Sequence, residues 1–203
     1  MHTPPSTSSA LEGALAFLKE AERLKDTLRT AHTSSGRRES VAEHTWRLCL
    51  MAIVLEPEIA PINMVKLLKI CIIHDLGEAI SGDIPAISQT PDQNKSQQER
   101  ADLLSLLAPL SPALKEHFLS LWEEYESAGS PEARLAKGLD KLETIMQHNQ
   151  GKNPACFDYD FNLSYGKTQT SAHPTLTTIR TFLDLETEQN AAKQPCFSTL
   201  EQT

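Results

Sequence analysis

Apolar side chains recur at intervals of three and four along most of this chain, and no stretch shows a convincing strand-type alternation. Leu11, Leu15, Leu18, Ala21, Leu24 and Leu28 fall on one helical line, and Ser9-Ala10-Leu11-Glu12 reads as a capping box that opens it. A polar loop with Gly36 follows over residues 30–39. Ser40-Val41-Ala42-Glu43 is a second capping box, predicting a helix to about Leu55. Pro57 and Pro61 punctuate the link to a helix over about 61–75, which carries the apolar run Leu67-Leu68-Lys69-Ile70-Cys71-Ile72-Ile73. A loop with Gly82 and Pro85 ends at Pro91, and a helix is expected near 93–107. Ser111-Pro112 and Ser130-Pro131 each set an N-cap before a proline at the first helical position, predicting helices near 112–127 and 131–149. Residues 150–172 lack a period and read as a long loop, a feature that in a compact domain is often functional. His173-Pro174 precedes a last helix to about Leu185. The pattern predicts an all-α fold: one bundle of about six or seven helices over residues 9–187, with a disordered start (1–8) and a flexible polar tail (188–203).

Composition narrows the partners. The chain has 203 residues, with 19 Lys+Arg against 27 Asp+Glu and a net charge of -8. Its pI is about 5.4. An acidic surface offers no electrostatic footprint for a nucleic acid polymer. A small phosphate ester remains open, because a bound metal and one or two basic residues set the local field. The run from Leu48 to Leu55 is too short to span a bilayer, which needs roughly 20 residues. Met1-His2-Thr3-Pro4-Pro5-Ser6 lacks a secretory pattern, so no membrane association is expected. None of Cys49, Cys71, Cys156 and Cys196 has Cys-x-x-Cys spacing. Cys49 and Cys71 sit in apolar helical runs as expected core thiols, which fits a cytoplasmic protein.

The candidate chemistry starts at His74-Asp75, where an apolar helix ends in two adjacent metal-competent side chains. His44 lies thirty residues earlier and Asp140 sixty-five later. Two histidines and two carboxylates form a mixed N/O set suited to a divalent metal that keeps positions open for water and substrate. A lone His-Asp pair is commonly only a surface feature. Asp140 lies beside the stripe Leu135, Leu139, Leu142 and Met146 rather than in it, so it either borders a cleft or faces solvent.

Four segments together carry a family resemblance: Glu39-Ser40-Val41-Ala42-Glu43-His44, His74-Asp75-Leu76-Gly77-Glu78-Ala79, Gly82-Asp83-Ile84 and Leu139-Asp140-Lys141-Leu142-Glu143. In order and spacing, from about Leu15 to about Leu185, the chain resembles the HD-domain metal-dependent phosphohydrolases of the 5′-deoxynucleotidase subgroup. The resemblance implies a phosphomonoesterase acting on nucleoside 5′-monophosphates. It implies one divalent metal (Mn, Co, Fe, Ni, Zn or Mg) on His44, His74, Asp75 and Asp140. Glu78 would orient or activate the attacking water, Asp83 would accept a sugar hydroxyl, and Arg29, with Lys95 as a weaker candidate, would contact phosphate. Arg37 and Arg38 are candidates to guard the entrance. A homodimer is a family expectation. Members selective for deoxyribose carry a tryptophan beside the matching arginine, whereas Thr30 follows Arg29 here and Trp46 is expected in the core; ribose selectivity stays open. His32, His117, His148 and His173 are expected at the surface or in loops. The alternatives are a non-catalytic metal-binding HD sensor or interaction module, and a hydrolase of another small phosphoester.

Overall fold

The computed structural model describes residues 7–85 and 95–193. Helix α1 spans Thr7–Ala21 and is followed by a 3-10 turn, Glu22–Lys25. Strands β1 (Leu28–His32) and β2 (Arg38–Ser40) form an antiparallel hairpin. Then come α2 (Val41–Val54), α3 (Glu56–Ile59), α4 (Met64–Ile73), α5 (Glu78–Ser81), α6 (Lys95–Leu106), α7 (Pro112–Glu126) and α8 (Pro131–Gln150). The chain continues through α9 (Tyr159–Ser164), α10 (Lys167–Thr170) and α11 (Pro174–Lys193). The fold is all-α apart from this hairpin. Among the described residues seven helices have ten residues or more: α1, α2, α4, α6, α7, α8 and α11.

The caps follow from local chemistry. Ser40 accepts a hydrogen bond from the Glu43 backbone N–H while the Glu43 carboxylate accepts from the Ser40 N–H, so two orphan donors of α2 are satisfied together. Ser111 and Ser130 accept from Leu114 and Ala133 in the same way, each with proline in the first turn. Asn63, two residues after Pro61, caps α4, which starts at Met64.

Helix α8 is the centre of the bundle and packs against α2, α4, α7, α10 and α11. Leu139, Leu142 and Ile145 are fully buried on it. Gly138 allows the close approach of its neighbours: a Cβ there would lie 2.4 Å from Leu176 Cδ1 and 2.9 Å from the Gln169 carbonyl oxygen.

Several expectations are corrected. The expected loop at 30–39 is largely the hairpin, joined to α2 by a bond from Val41 N–H to the Thr27 carbonyl. The predicted first helix ends before Leu24, because Asp26 and Thr27 N–H both turn back onto the Arg23 carbonyl. Ser9 lies inside α1 and does not cap it. Leu11, Leu15 and Leu18 are 62%, 58% and 62% exposed. The packing face of α1 is instead Gly13 and Phe17: Gly13 lies against the Pro109 carbonyl and Phe17 meets the Phe118 ring edge-on at 5.5 Å. The expected long loop contains α9 and α10, and α11 runs eight residues past Leu185. Trp46 is 65% exposed on α2, not in the core. Cys71 is buried, Cys49 only half-buried and Cys156 exposed. Thr7, Ser8 and residues 188–193 are helical; Pro91, Cys196 and the remaining terminal residues lie outside the described residues.

Candidate metal centre

Three helices that pack pairwise, α2, α4 and α8, each bring part of the cluster to their meeting point. His44 sits in the first turn of α2, placed there by the Ser40 cap. His74 is the C-cap of α4, and Asp75 begins the turn into α5. Asp140 is mid-helix on α8. His44 Nε2 lies 3.2 Å from Asp140 Oδ1 and 3.8 Å from Asp75 Oδ2, and His74 Nε2 lies 3.0 Å from the same Asp75 oxygen.

The remaining atoms of these side chains are held from behind. His74 Nδ1–H donates to the Cys71 carbonyl at 2.8 Å. His44 Nδ1–H donates to Glu143, whose other oxygen accepts from Arg47 Nε at 2.6 Å. Each ring thereby keeps a proton on Nδ1, so that a cation displacing any proton from Nε2 would meet a lone pair there. Both Nε2 atoms are buried with no hydrogen-bond partner. Buried lone pairs without partners, aimed at ionised carboxylates, are a donor set that a divalent cation satisfies. Asp140 Oδ2 accepts from Tyr125 Oη at 2.9 Å and Lys141 Nζ at 2.8 Å. Against the cost of burial, Lys141 and His44 hold the Asp140 carboxyl well below the usual range. Burial likewise opposes ionisation of Asp75, and His74 and His44 hold it charged. A second grouping, Glu39, His44 and Glu143, is a poorer cation site, because both carboxylates face Arg29 or Arg47.

Around this cluster lies a cavity of about 760 Å³. Glu78 opens α5 one turn after Asp75 and borders the cavity, with Oε2 buried and unpartnered. Burial, with repulsion from Asp75 and Asp83, pushes its carboxyl up to about 10. Arg29, on β1, is half-buried: its NH2 donates to Thr144 Oγ1 at 2.9 Å and its NH1 lies 3.8 Å from Asp75 Oδ2. Asp83 and Lys95 also line the cavity, Lys95 paired with Glu99 at 3.1 Å. The structure thus brings together all eight residues singled out from the sequence. It does not bring Arg37 or Arg38 to the cavity wall: Arg37 pairs with Glu43, and Arg38 binds the Leu28 and Arg29 carbonyls across the hairpin.

Sequence reasoning missed Tyr125, Lys141, Glu143 and Thr144. Lys141 and Glu143 stood within the recognised segment, and Thr144 is one turn beyond Asp140, so helical spacing pointed to it. Nothing local marks Tyr125, which comes from α7. His148, expected at the surface, is buried on α8, its Nδ1–H donating to Asn162 Oδ1 at 3.0 Å. His117 is exposed on α7, while His32 and His173 are half-buried.

Comparison with known proteins finds likenesses in family and in fold. Residues 21–180 match the family model of the HD domain. The chain is 32% identical over 142 residues to the 5′-deoxynucleotidase HDDC2 of Danio rerio, covering 69% of this chain and 70% of that one. It is 29% identical over 193 residues to the 5′-deoxynucleotidase HDDC2 of Mus musculus, covering 92% and 94%. In fold it is similar to a solved structure from Magnetospirillum magnetotacticum MS-1 titled a predicted metal-dependent phosphohydrolase. That likeness has a TM-score of 0.73 at 22% identity over 91% of this chain and 97% of the other.

Proposed function

We propose, from the premise that this chain belongs to the HD domain family, that it is a metal-dependent phosphohydrolase releasing phosphate from nucleoside 5′-monophosphates, deoxynucleotides foremost. The observation that carries this reading is the pair of buried, unpartnered Nε2 atoms of His44 and His74 facing Asp75 and Asp140. These four residues would hold one divalent cation; the mixed N/O set suits Mn, Co, Fe, Ni or Zn, and Mg less well. When bound, the cation supplies Lewis-acid polarisation of a phosphoryl oxygen and acidifies a water.

The chain's own groups do the rest. The Arg29 guanidinium, half-buried beside Asp75, neutralises phosphate charge and orients the ester, and Lys95 adds a second cation across the cavity. Glu78 Oε2, free of other partners, receives a proton from the attacking water. Its raised pKa means that it holds a proton until positive charge enters the cluster, which then favours the carboxylate. Asp83 accepts a sugar hydroxyl. The names of the two animal relatives support a deoxynucleotide substrate, while Thr30, exposed and small, supplies no aromatic wall against a 2′-hydroxyl. The exposed apolar face of α2, formed by Trp46, Leu50, Ile53 and Val54, supports a homodimer, and the free thiols of Cys49 and Cys71 a reducing, cytoplasmic setting.

The experiment is phosphate release from ribo- and deoxyribonucleoside 5′-monophosphates by metal-stripped protein resupplied with Mn²⁺, Co²⁺ or Mg²⁺, beside Glu78→Ala. Release that needs metal and disappears in the variant is expected. Silence with every metal, while metal still binds, would favour a non-catalytic module or another phosphoester.

A further inference from the structure

Helix α8 turns Asp140, Thr144 and His148 toward one cavity at four-residue intervals. Eight residues of helix span about 12 Å. That length is comparable to the reach of a nucleotide from its phosphate to the far edge of its base. The metal cluster stands at one end of this line, Arg29 bonded to Thr144 in the middle, and an aromatic group at the other. There Phe157 meets the His148 ring at 4.9 Å and the Tyr159 ring at 4.9 Å, both near edge-to-face.

We propose that His148 and Phe157 form a nucleobase subsite, in which the base of a nucleoside 5′-monophosphate lies against the Phe157 ring; this rests on the phosphomonoesterase reading above. Packed at steep angles against His148 and Tyr159, the Phe157 ring borders the cavity and remains half-exposed. The wall that carries it is rigid. Buried Arg180 donates to the α9 segment that follows Phe157, from NH1 to the Tyr165 carbonyl and from NH2 to the Asn162 carbonyl, each at 2.6 Å. Asn153 ties the His148 carbonyl to the Tyr159 hydroxyl at 2.7 and 3.0 Å. A preorganised aromatic face binds without an ordering cost.

The opposite wall suits a base poorly. It carries the ion pairs Lys95–Glu99 and Lys137–Glu126, which favour phosphate and water. At the aromatic end Asn162 Oδ1 is engaged by His148 and Asp158 Oδ1 by the Phe161 N–H, while Asn162 Nδ2 and Asn153 Oδ1 are buried without partners. The Phe157 ring on the cavity wall takes the base by its face, and stacking tolerates every base.

The test is calorimetric titration of 2′-deoxyadenosine, thymidine and 2-deoxyribose 5-phosphate into the Mn²⁺-loaded protein and its Phe157→Leu and Phe157→Trp variants. Phe157→Leu keeps apolar volume and loses the stacking face. It is expected to weaken both nucleosides by about tenfold more than the sugar phosphate, and Phe157→Trp to retain or tighten them. Wild-type nucleoside binding in the Leu variant, equal loss of the sugar phosphate, or no nucleoside binding by the wild-type protein would overturn the subsite. Because nucleosides carry no phosphate, their binding is read apart from turnover. Phosphate release with unchanged nucleoside binding in the Leu variant removes the subsite and leaves the hydrolase. Nucleoside binding through Phe157 without release from any monophosphate leaves the subsite and removes the hydrolase.

Discussion

The Tyr125 hydroxyl donates to Asp140 Oδ2 across 2.9 Å between α7 and α8, and with Lys141 Nζ it leaves only Oδ1 facing His44 Nε2. Burial raises the Tyr125 pKa well above the ordinary value, so the phenol stays a donor. Tyr125→Phe is expected to weaken Mn²⁺ binding by about 10- to 100-fold, the scale of losses when a ligand's supporting partner is removed. Titration of the metal-stripped variant measures this; unchanged affinity would mean that Lys141 alone orients Asp140.

Glu78→Ala is expected to lower kcat by about 10²-fold or more while the metal still binds, because Glu78 faces the cluster without joining the ligand pairs. Metal titration and steady-state kinetics on one preparation separate the two effects. Full activity in the variant would remove Glu78 from the reaction.

Burial, with only partial compensation from Asn162, holds the His148 imidazole below its ordinary 6.5. The unfolded chain then binds a proton near that pH that the folded chain does not. Stability from this group is therefore present above 6.5 and lost as pH falls toward the lower folded pKa. Urea midpoints compared between about pH 7.5 and about pH 5.5 should fall more for the wild type than for His148→Gln.

Gly138→Ala is expected to destabilise by about 1–3 kcal/mol, since the new methyl meets Leu176 and the Gln169 carbonyl. The shift also pushes α10 and α11 away from α8. A thermal midpoint equal to the wild type's would show that these elements give way at no cost.

Ser130→Ala removes the bond to the Ala133 N–H that starts α8. The expected cost is about 1 kcal/mol, a drop of about 2–4 °C in Tm for a domain of this size. Ser130 lies outside the cluster, so kcat/KM at 25 °C should not change, which makes this variant the control for the Gly138 substitution.

The helices were legible where a local signal existed. Ser40 with Glu43, Ser111 with Pro112 and Ser130 with Pro131 mark starts that the structure places at the same residues, because capping joins groups three positions apart. The faces of the helices were less legible. Leu11, Leu15 and Leu18 recur at helical spacing and lie outside, whereas Gly13 and Phe17 pack inside, because spacing shows that a face exists and not which neighbour covers it. The hairpin escaped notice because its strands are short, polar and irregular in register.

By itself, the sequence determined an all-α chain, its main helix starts and the order of the four segments bearing His44, His74-Asp75, Asp83 and Asp140. These are properties of neighbours along the chain, set by backbone geometry over three or four residues. Only the tertiary structure decided that α2, α4 and α8 meet so that the two Nε2 atoms face the carboxylates, that Tyr125 reaches Asp140 from another helix, and that Phe157 borders the same cavity as the cluster. Those contacts join residues far apart in sequence, and packing rather than local spacing sets their distances.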